Sequence, residues 1–213
     1  GDLVVLDDST SHHLLRVTGI GPSERVEIFD GQGGGAIATL VDVQDGLAVL
    51  KVIQHQSQSL NSSGCIHLLI AQTRANVLDT TLRMVTELGV SSVQVVTTER
   101  CVAKGDKRDR WLRIMESAST QSGRLTLPTL LEPSGFQEAV TSRSGIRLVF
   151  TPGGDAVSHE RSSDVHMLIG PEGGLSEAEI SFAVSVGWVS VGLGSTVLRA
   201  DTAAVAAVAR YWD

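Results

Sequence analysis

Toward the C-terminal end of the chain, two short stretches collect residues suited to holding a ligand through the backbone. The first, GPEGG at 170–174, sets three glycines and Pro171 around a lone Glu172. The second, GLGSTVLRADTA at 192–203, adds two glycines, three hydroxyl side chains and Arg199. Glycine lets N–H and C=O groups approach a ligand with no Cβ in the way. Proline fixes φ and removes a donor, which stiffens the turn. A stiff wall of exposed backbone groups suits a flat heterocycle such as adenine, while each stretch alone reads equally as a structural turn. Neither is a standard nucleotide fingerprint: no GK[ST] follows GPEGG, and GLGSTV lacks the third glycine of GxGxxG. A further cluster, GQGGG at 31–35, falls between two alternating apolar runs and predicts only a hairpin turn.

The second chemical feature is charge. RCVAKGDKRDRWLR, 100–113, carries six basic residues against two acidic. It reads either as a solvated helix face or as a phosphate-binding patch. A net charge of -7 over 213 residues argues at first against a nucleic-acid partner. The distribution softens this, with net -5 over 1–62, +3 over 63–150 and -5 over 151–213. The six histidines show no metal-ligand spacing, and Cys65 and Cys101 form no CxxC, so neither a metal nor a disulfide framework is expected. No run approaches the ~18 apolar residues of a membrane span, and no basic-then-apolar leader opens the chain. A soluble, cytoplasmic protein is expected.

The elements that must carry these residues fall into two groups. Up to residue 55 the chain alternates and turns, with period-two patterns around Val26, Ile28, Ile37, Thr39 and Val41. Within TSHHLLRVTG a short helix is expected, capped by Thr10 or Ser11. This predicts a small β-barrel or sheet-like domain, closed by the polar stretch HQSQSLNSSG at 55–64. Boundaries of 1–58 and 59–213 follow. Beyond the linker, buried-looking strands (IHLLIAQ, VQVVTTE, IRLVFTP, HMLIGP, WVSVGLG) alternate with helical patterns. One helix should end at Gly89, and another should open with a capping box of Ser176 and Glu179. Such alternation predicts an α/β domain with a mostly parallel sheet covered on both faces. Its ligands belong at the carboxyl ends of the strands, where both glycine-rich stretches lie.

LIGPEGGLSEAEI followed by VGLGSTVLRADTAAVAA resembles the 16S rRNA (uracil-N3) methyltransferase family, within the SPOUT class of knotted methyltransferases. TELGVSSVQVVTTER at 86–100 and RWLRIMESASTQSGRLTLP at 110–128 extend the likeness, with Glu116, Gln121, Arg124 and Pro128 in matching places. HHLLRVTG and VEIFDGQG are similar to that family's PUA-like RNA-binding domain. The resemblance implies a C-terminal SPOUT-type α/β domain with a deep trefoil knot, a small N-terminal PUA-like β-barrel, and a homodimer packed through the Ala-rich last helix.

It also implies an S-adenosylmethionine pocket. Gly170, Glu172, Gly173 and Gly174 would form one wall, and Leu193, Gly194, Ser195, Val197, Leu198 and Arg199 another, with Thr151 closing the third side. Methylation at N3 of uracil develops an imide anion that a positioned cation would stabilise; Arg199 and then Arg124 are the catalytic candidates. The 16S rRNA, within the small ribosomal subunit, would meet His13, Arg16, Arg74 and Arg83, with Lys104, Lys107, Arg108 and Arg110 in the basic stretch. Two alternatives stay open: another SPOUT RNA methyltransferase acting on a ribose or a different base, and a non-catalytic RNA-binding assembly factor.

Overall fold

A computed structural model describes residues 1–57, 64–102, 105–155 and 164–211. The chain divides into two compact units, Gly1–Leu60 and Asn61–Asp213. The sequence-based boundary at 58/59 itself lies outside the described residues.

The first unit contains β1 (Leu3–Val5), α1 (Asp8–His12) running into a π turn (His13–Thr18), β2 (Arg25–Phe29), β3 (Gly34–Gln44) and β4 (Leu47–Ser57). The strands form one antiparallel sheet in the order β1-β4-β3-β2. Alternation along β3 and β4 buries Ala38, Leu40, Ala48 and Leu50, and Leu14 and Leu15 pack against them. The cap of α1 differs from expectation. Asp7, not Thr10 or Ser11, accepts the Thr10 N–H at 2.8 Å. Ser11 is buried instead, donating to the Leu6 carbonyl and accepting from Ala48 N at 2.9 Å. A carboxylate at the helix start satisfies an orphan amide and meets the positive end of the dipole, so the earlier residue wins. The expected turn at 30–33 forms around Asp30, whose carboxylate accepts from Gln32 N and Gly34 N.

The second unit is mixed α/β. Its strands are β5 (Ile66–Ala71), β6 (Ser92–Thr97), β7 (Thr129–Gly135), β8 (Ile146–Asp155), β9 (Val165–Ile169) and β10 (Val189–Val191). All pair in parallel, in the order β10-β8-β9-β5-β6-β7. Helices α2 (Ala75–Glu87), α3 (Arg108–Gln121) and α6 (Ala200–Ala209) cover one face. Their Leu78, Leu82, Trp111, Met115, Ala204 and Val208 pack on Leu68, Ile70, Val95 and Met167 of the sheet. On the other face, α4 (Phe136–Thr141) and α5 (Glu177–Ser185) set Phe136, Val140 and Ala183 on Leu69, Val149 and Leu168. Trp188 seals that layer, its indole N–H donating to the Val140 carbonyl at 2.9 Å. Both of the sheet's faces are thus covered, as strands with near-continuous apolar runs require.

Gly89 closes α2 by donating to the Thr86 carbonyl, and α5 carries the full Ser176–Glu179 capping box. Strand β7 is the element that periodicity did not announce. It holds Pro133, which a sheet tolerates at an edge, and β7 is an edge strand.

Candidate functional site

Four connections converge at the carboxyl ends of β6, β8, β9 and β10. They enclose a cavity of about 310 Å³, within the range of small-molecule sites. After β9, Pro171–Gly174 makes a tight turn in which Gly174 N donates to the Pro171 carbonyl at 2.8 Å. Gly170 enters this turn so closely packed that an added Cβ would lie 3.0 Å from Leu175 N and 3.1 Å from Leu175 Cγ. Any side chain there pushes the wall out of place.

The opposite wall follows β10. Gly192 passes the end of β8 with its N–H on the Asp155 carbonyl at 3.0 Å, and a Cβ on it would sit 2.2 Å from Gly154 O. The chain then runs through Leu193, Gly194, Thr196, Val197 and Leu198 along the cavity, and α6 adds Ala200 and Ala203. Thr151 lines the third side, with its hydroxyl 2.7 Å from that of Ser190. Phe150, Ile169, Leu175 and Ile180 give it an apolar lining, and Arg100, Thr151, Glu172 and Thr196 add polar side chains.

Of the residues expected in this pocket, Thr151, Gly170, Glu172, Gly173, Gly174, Leu193, Gly194, Val197 and Leu198 line it. Ser195 and Arg199 do not; both are exposed. Arg199 is the N-cap residue of α6, and its Nε lies 3.5 Å from Asp201 Oδ1. Arg124 is not in the lining either, and its guanidinium is already engaged. It donates to the carbonyls of Thr86 at 2.6 Å and Val90 at 3.1 Å, just past the end of α2. The reason is geometric: a half-buried cation meets the negative end of the α2 dipole and adds a charged donor to carbonyls gathered there.

Sequence reasoning missed Arg100. It follows β6 and lines the pocket, donating from Nη1 to the Gly173 carbonyl at 2.9 Å and to that of Leu175 at 3.4 Å. Its sequence signals were membership of the basic stretch and its place at the end of TELGVSSVQVVTTER, a segment shared with the resembled family. Arg100 and Glu172 are the two charged residues in the lining. Glu172 accepts weakly from Arg74 N, at 3.5 Å.

None of the described residues proposed to contact RNA is in this lining. His13 and Arg16 are exposed on the π turn of the first unit. In the second unit a broad open groove of about 870 Å³ between α2 and α3 is lined by Arg83, Glu87, Arg110 and Arg113. Arg83 pairs with Glu87 and Arg110 with Asp79. Arg108 is held by Glu132 at 2.8 Å and by the Leu130 carbonyl at 2.7 Å. Arg74 and Lys107 are exposed, whereas Lys104 lies outside the described residues.

At the amino-terminal ends of the central strands β5 and β9, donor atoms of Cys65, His67 and Asp164 lie within 4.8 Å of one another. These groups serve the fold: Asp164 accepts from Cys65 N at 2.8 Å, and His67 Nδ1 meets the Ser92 hydroxyl at 2.7 Å.

Residues 61–212 match the RNA methyltransferase domain family. A Synechocystis protein named ribosomal RNA small subunit methyltransferase E is 31% identical over 97% of this chain and 72% of its own length. Among solved structures, a ribosomal RNA small subunit methyltransferase E from Neisseria gonorrhoeae, bound to S-adenosyl methionine, is 32% identical with a TM-score of 0.90. The match spans 98% of this chain and 90% of that one. A Legionella pneumophila protein solved with the cofactor SAM is 27% identical with a TM-score of 0.86, covering 98% and 90% of the two chains.

Proposed function

The chain belongs to the RNA methyltransferase domain family, and from that premise we propose that it methylates N3 of a uridine in 16S ribosomal RNA with S-adenosylmethionine as donor. The observation carrying this reading is the convergence of both glycine-rich stretches on one apolar cavity walled by backbone, in a chain that superimposes on a cofactor-bound relative. The cavity fits the cofactor's chemistry: apolar side chains take a flat heterocycle, and exposed N–H and C=O groups take its polar edge. When bound, the cofactor supplies a methyl group already activated on a sulfonium. The protein's task is then alignment, exclusion of water and stabilisation of charge on the acceptor. Arg199, on the rim between Leu198 and Ala200, is suited to a phosphate of the target nucleotide.

The finer features belong to the same reading. The contact of Gly192 with Gly154, followed by entry into α6, supports a chain crossing of the kind a trefoil knot requires. In the first unit, the antiparallel sheet packed by α1 suits a PUA-like RNA-binding module. The Ala-rich α6 suits a homodimer interface, and the small ribosomal subunit is the proposed setting of the substrate. Mass mapping of small-subunit rRNA from a deletion strain tests the activity. One N3-methyluridine should vanish, returning with the wild-type gene but not with Gly170→Val, which fills the pocket wall. An unchanged methylation map would overturn the assignment.

A further inference from the structure

The structure assigns to Arg100 a catalytic role in this pocket: its free N–H groups stabilise the charge that develops on a carbonyl oxygen of the target uracil. This inference rests on the reading above and names the group that performs its hardest step.

Three observations lead to it. First, Arg100 is held on a built turn. Cys101 N donates to the Thr98 carbonyl at 3.2 Å, and the Thr98 hydroxyl lies 3.2 Å from Cys101 Sγ. The Glu99 N–H donates to Glu179 Oε1 at 2.8 Å, and the other oxygen of Glu179 closes the capping box of α5 by accepting from Ser176 N. The turn after β6 is thereby fastened to the helix that follows the glycine-rich wall.

Second, the guanidinium is divided in its use. Nη1 is spent on the carbonyls of Gly173 and Leu175, and the aliphatic stem runs along Gly173, where an added Cβ would lie 3.5 Å from Arg100 Cβ. A guanidinium has five N–H donors. Those on Nε and Nη2 have no protein partner among the described residues, and the side chain, exposed to solvent, lines the cavity.

Third, the alternatives are engaged or placed elsewhere. Arg199 is on the rim beside Asp201, and Arg124 is bound to the end of α2. Among the described residues, Arg100 forms no ion pair, so it is the uncompensated cation in the pocket lining.

The chemistry needs such a group. The N3 lone pair takes the methyl carbon while the carbon–sulfur bond breaks, its electron pair returning to sulfur to leave a neutral thioether. The N3 proton passes to solvent. As it leaves, negative charge spreads over N3 and the two flanking carbonyl oxygens. A fixed cation beside one oxygen stabilises that anion and so lowers the pKa of the N3 proton, and it needs no reorganisation at the moment of reaction.

The test compares wild type with Arg100→Gln and Arg100→Lys in three readouts: S-adenosylmethionine affinity by calorimetry, kcat on small-subunit RNA, and the pH dependence of kcat. Arg100→Gln should lower kcat roughly 10²-fold, the loss typical of one oxyanion donor, and weaken cofactor affinity by a much smaller factor, since Gln removes the latch on Gly173 and Leu175 as well. Its rate should recover as pH rises, because the uracil N–H, without a neighbouring cation, ionises at higher pH. Arg100→Lys should restore part of kcat and move the profile back. Loss of cofactor affinity together with an unshifted pH profile would overturn the proposal, leaving Arg100 as a latch on the wall or a partner of the cofactor's carboxylate. Unchanged kcat in Arg100→Gln would overturn it as well. If wild type itself methylates a ribose or binds no cofactor, the functional reading fails first and the proposal with it.

Discussion

Single residues decide between a binding role and a structural one by where their hydrogen-bond partners lie. Arg124 spends its guanidinium on the carbonyls of Thr86 and Val90, whereas Arg100 uses only Nη1 on Gly173 and Leu175. Removing Arg124 leaves carbonyls at the end of α2 without a charged donor. Arg124→Ala should therefore cost about 2 kcal/mol of stability, the scale of a charge-assisted hydrogen bond. Turnover per folded molecule should hold. Chemical denaturation paired with active-site titration checks both; a stable variant without turnover would return Arg124 to the catalytic set.

At the scale of elements, register builds a polar row across an otherwise apolar sheet. Thr129, Ser92, His67, His166 and Arg147 are consecutive partners across β7, β6, β5, β9 and β8. His67 and His166 stack with ring centres 4.5 Å apart, and His166 Nδ1 is buried without a hydrogen-bond partner among the described residues. Burial, with His67 and Arg143 nearby, drives the pKa of His166 from 6.5 down to about 4, against the opposing pull of Asp164. Burial also lowers that of His67. Both rings are therefore neutral in the folded protein at pH 7. The unfolded chain takes up the proton of His166 near pH 6.5 and the folded chain only near 4. Its contribution is present above that window and is lost as pH falls through it, by up to about 3 kcal/mol. Urea midpoints measured from pH 7 to 4 should fall for wild type and fall less for His166→Leu. Equal slopes would place the acid sensitivity on other groups.

For the whole molecule, affinity for RNA should depend on how many cations are free to meet phosphate, not on how many the chain carries. Among the described residues, Lys107 is exposed and forms no ion pair, whereas Arg108 is tied to Glu132 and Leu130. Lys107→Ala should weaken RNA binding across sequences and reduce the salt slope by about 1. Arg108→Ala should chiefly lower stability. Filter binding over a salt series separates the two, and an unchanged slope for Lys107→Ala would make that stretch a solvated face. The same contrast marks what could be read in advance. Periodicity and turn residues determined the strand–helix alternation and the ends of α2 and α5, because these depend on neighbours within a few residues; the pairing of the two glycine-rich stretches as pocket walls came from the family resemblance. Strand β7 was hidden because Pro133 obeys an edge rule that matters only once the strand order is known. Arg100 was hidden because its partners Gly173 and Leu175 are more than seventy residues away. Local sequence fixes which backbone shapes are accessible; only the tertiary structure brings distant strand ends together and so decides which charges are spent within the protein and which are left to face a ligand.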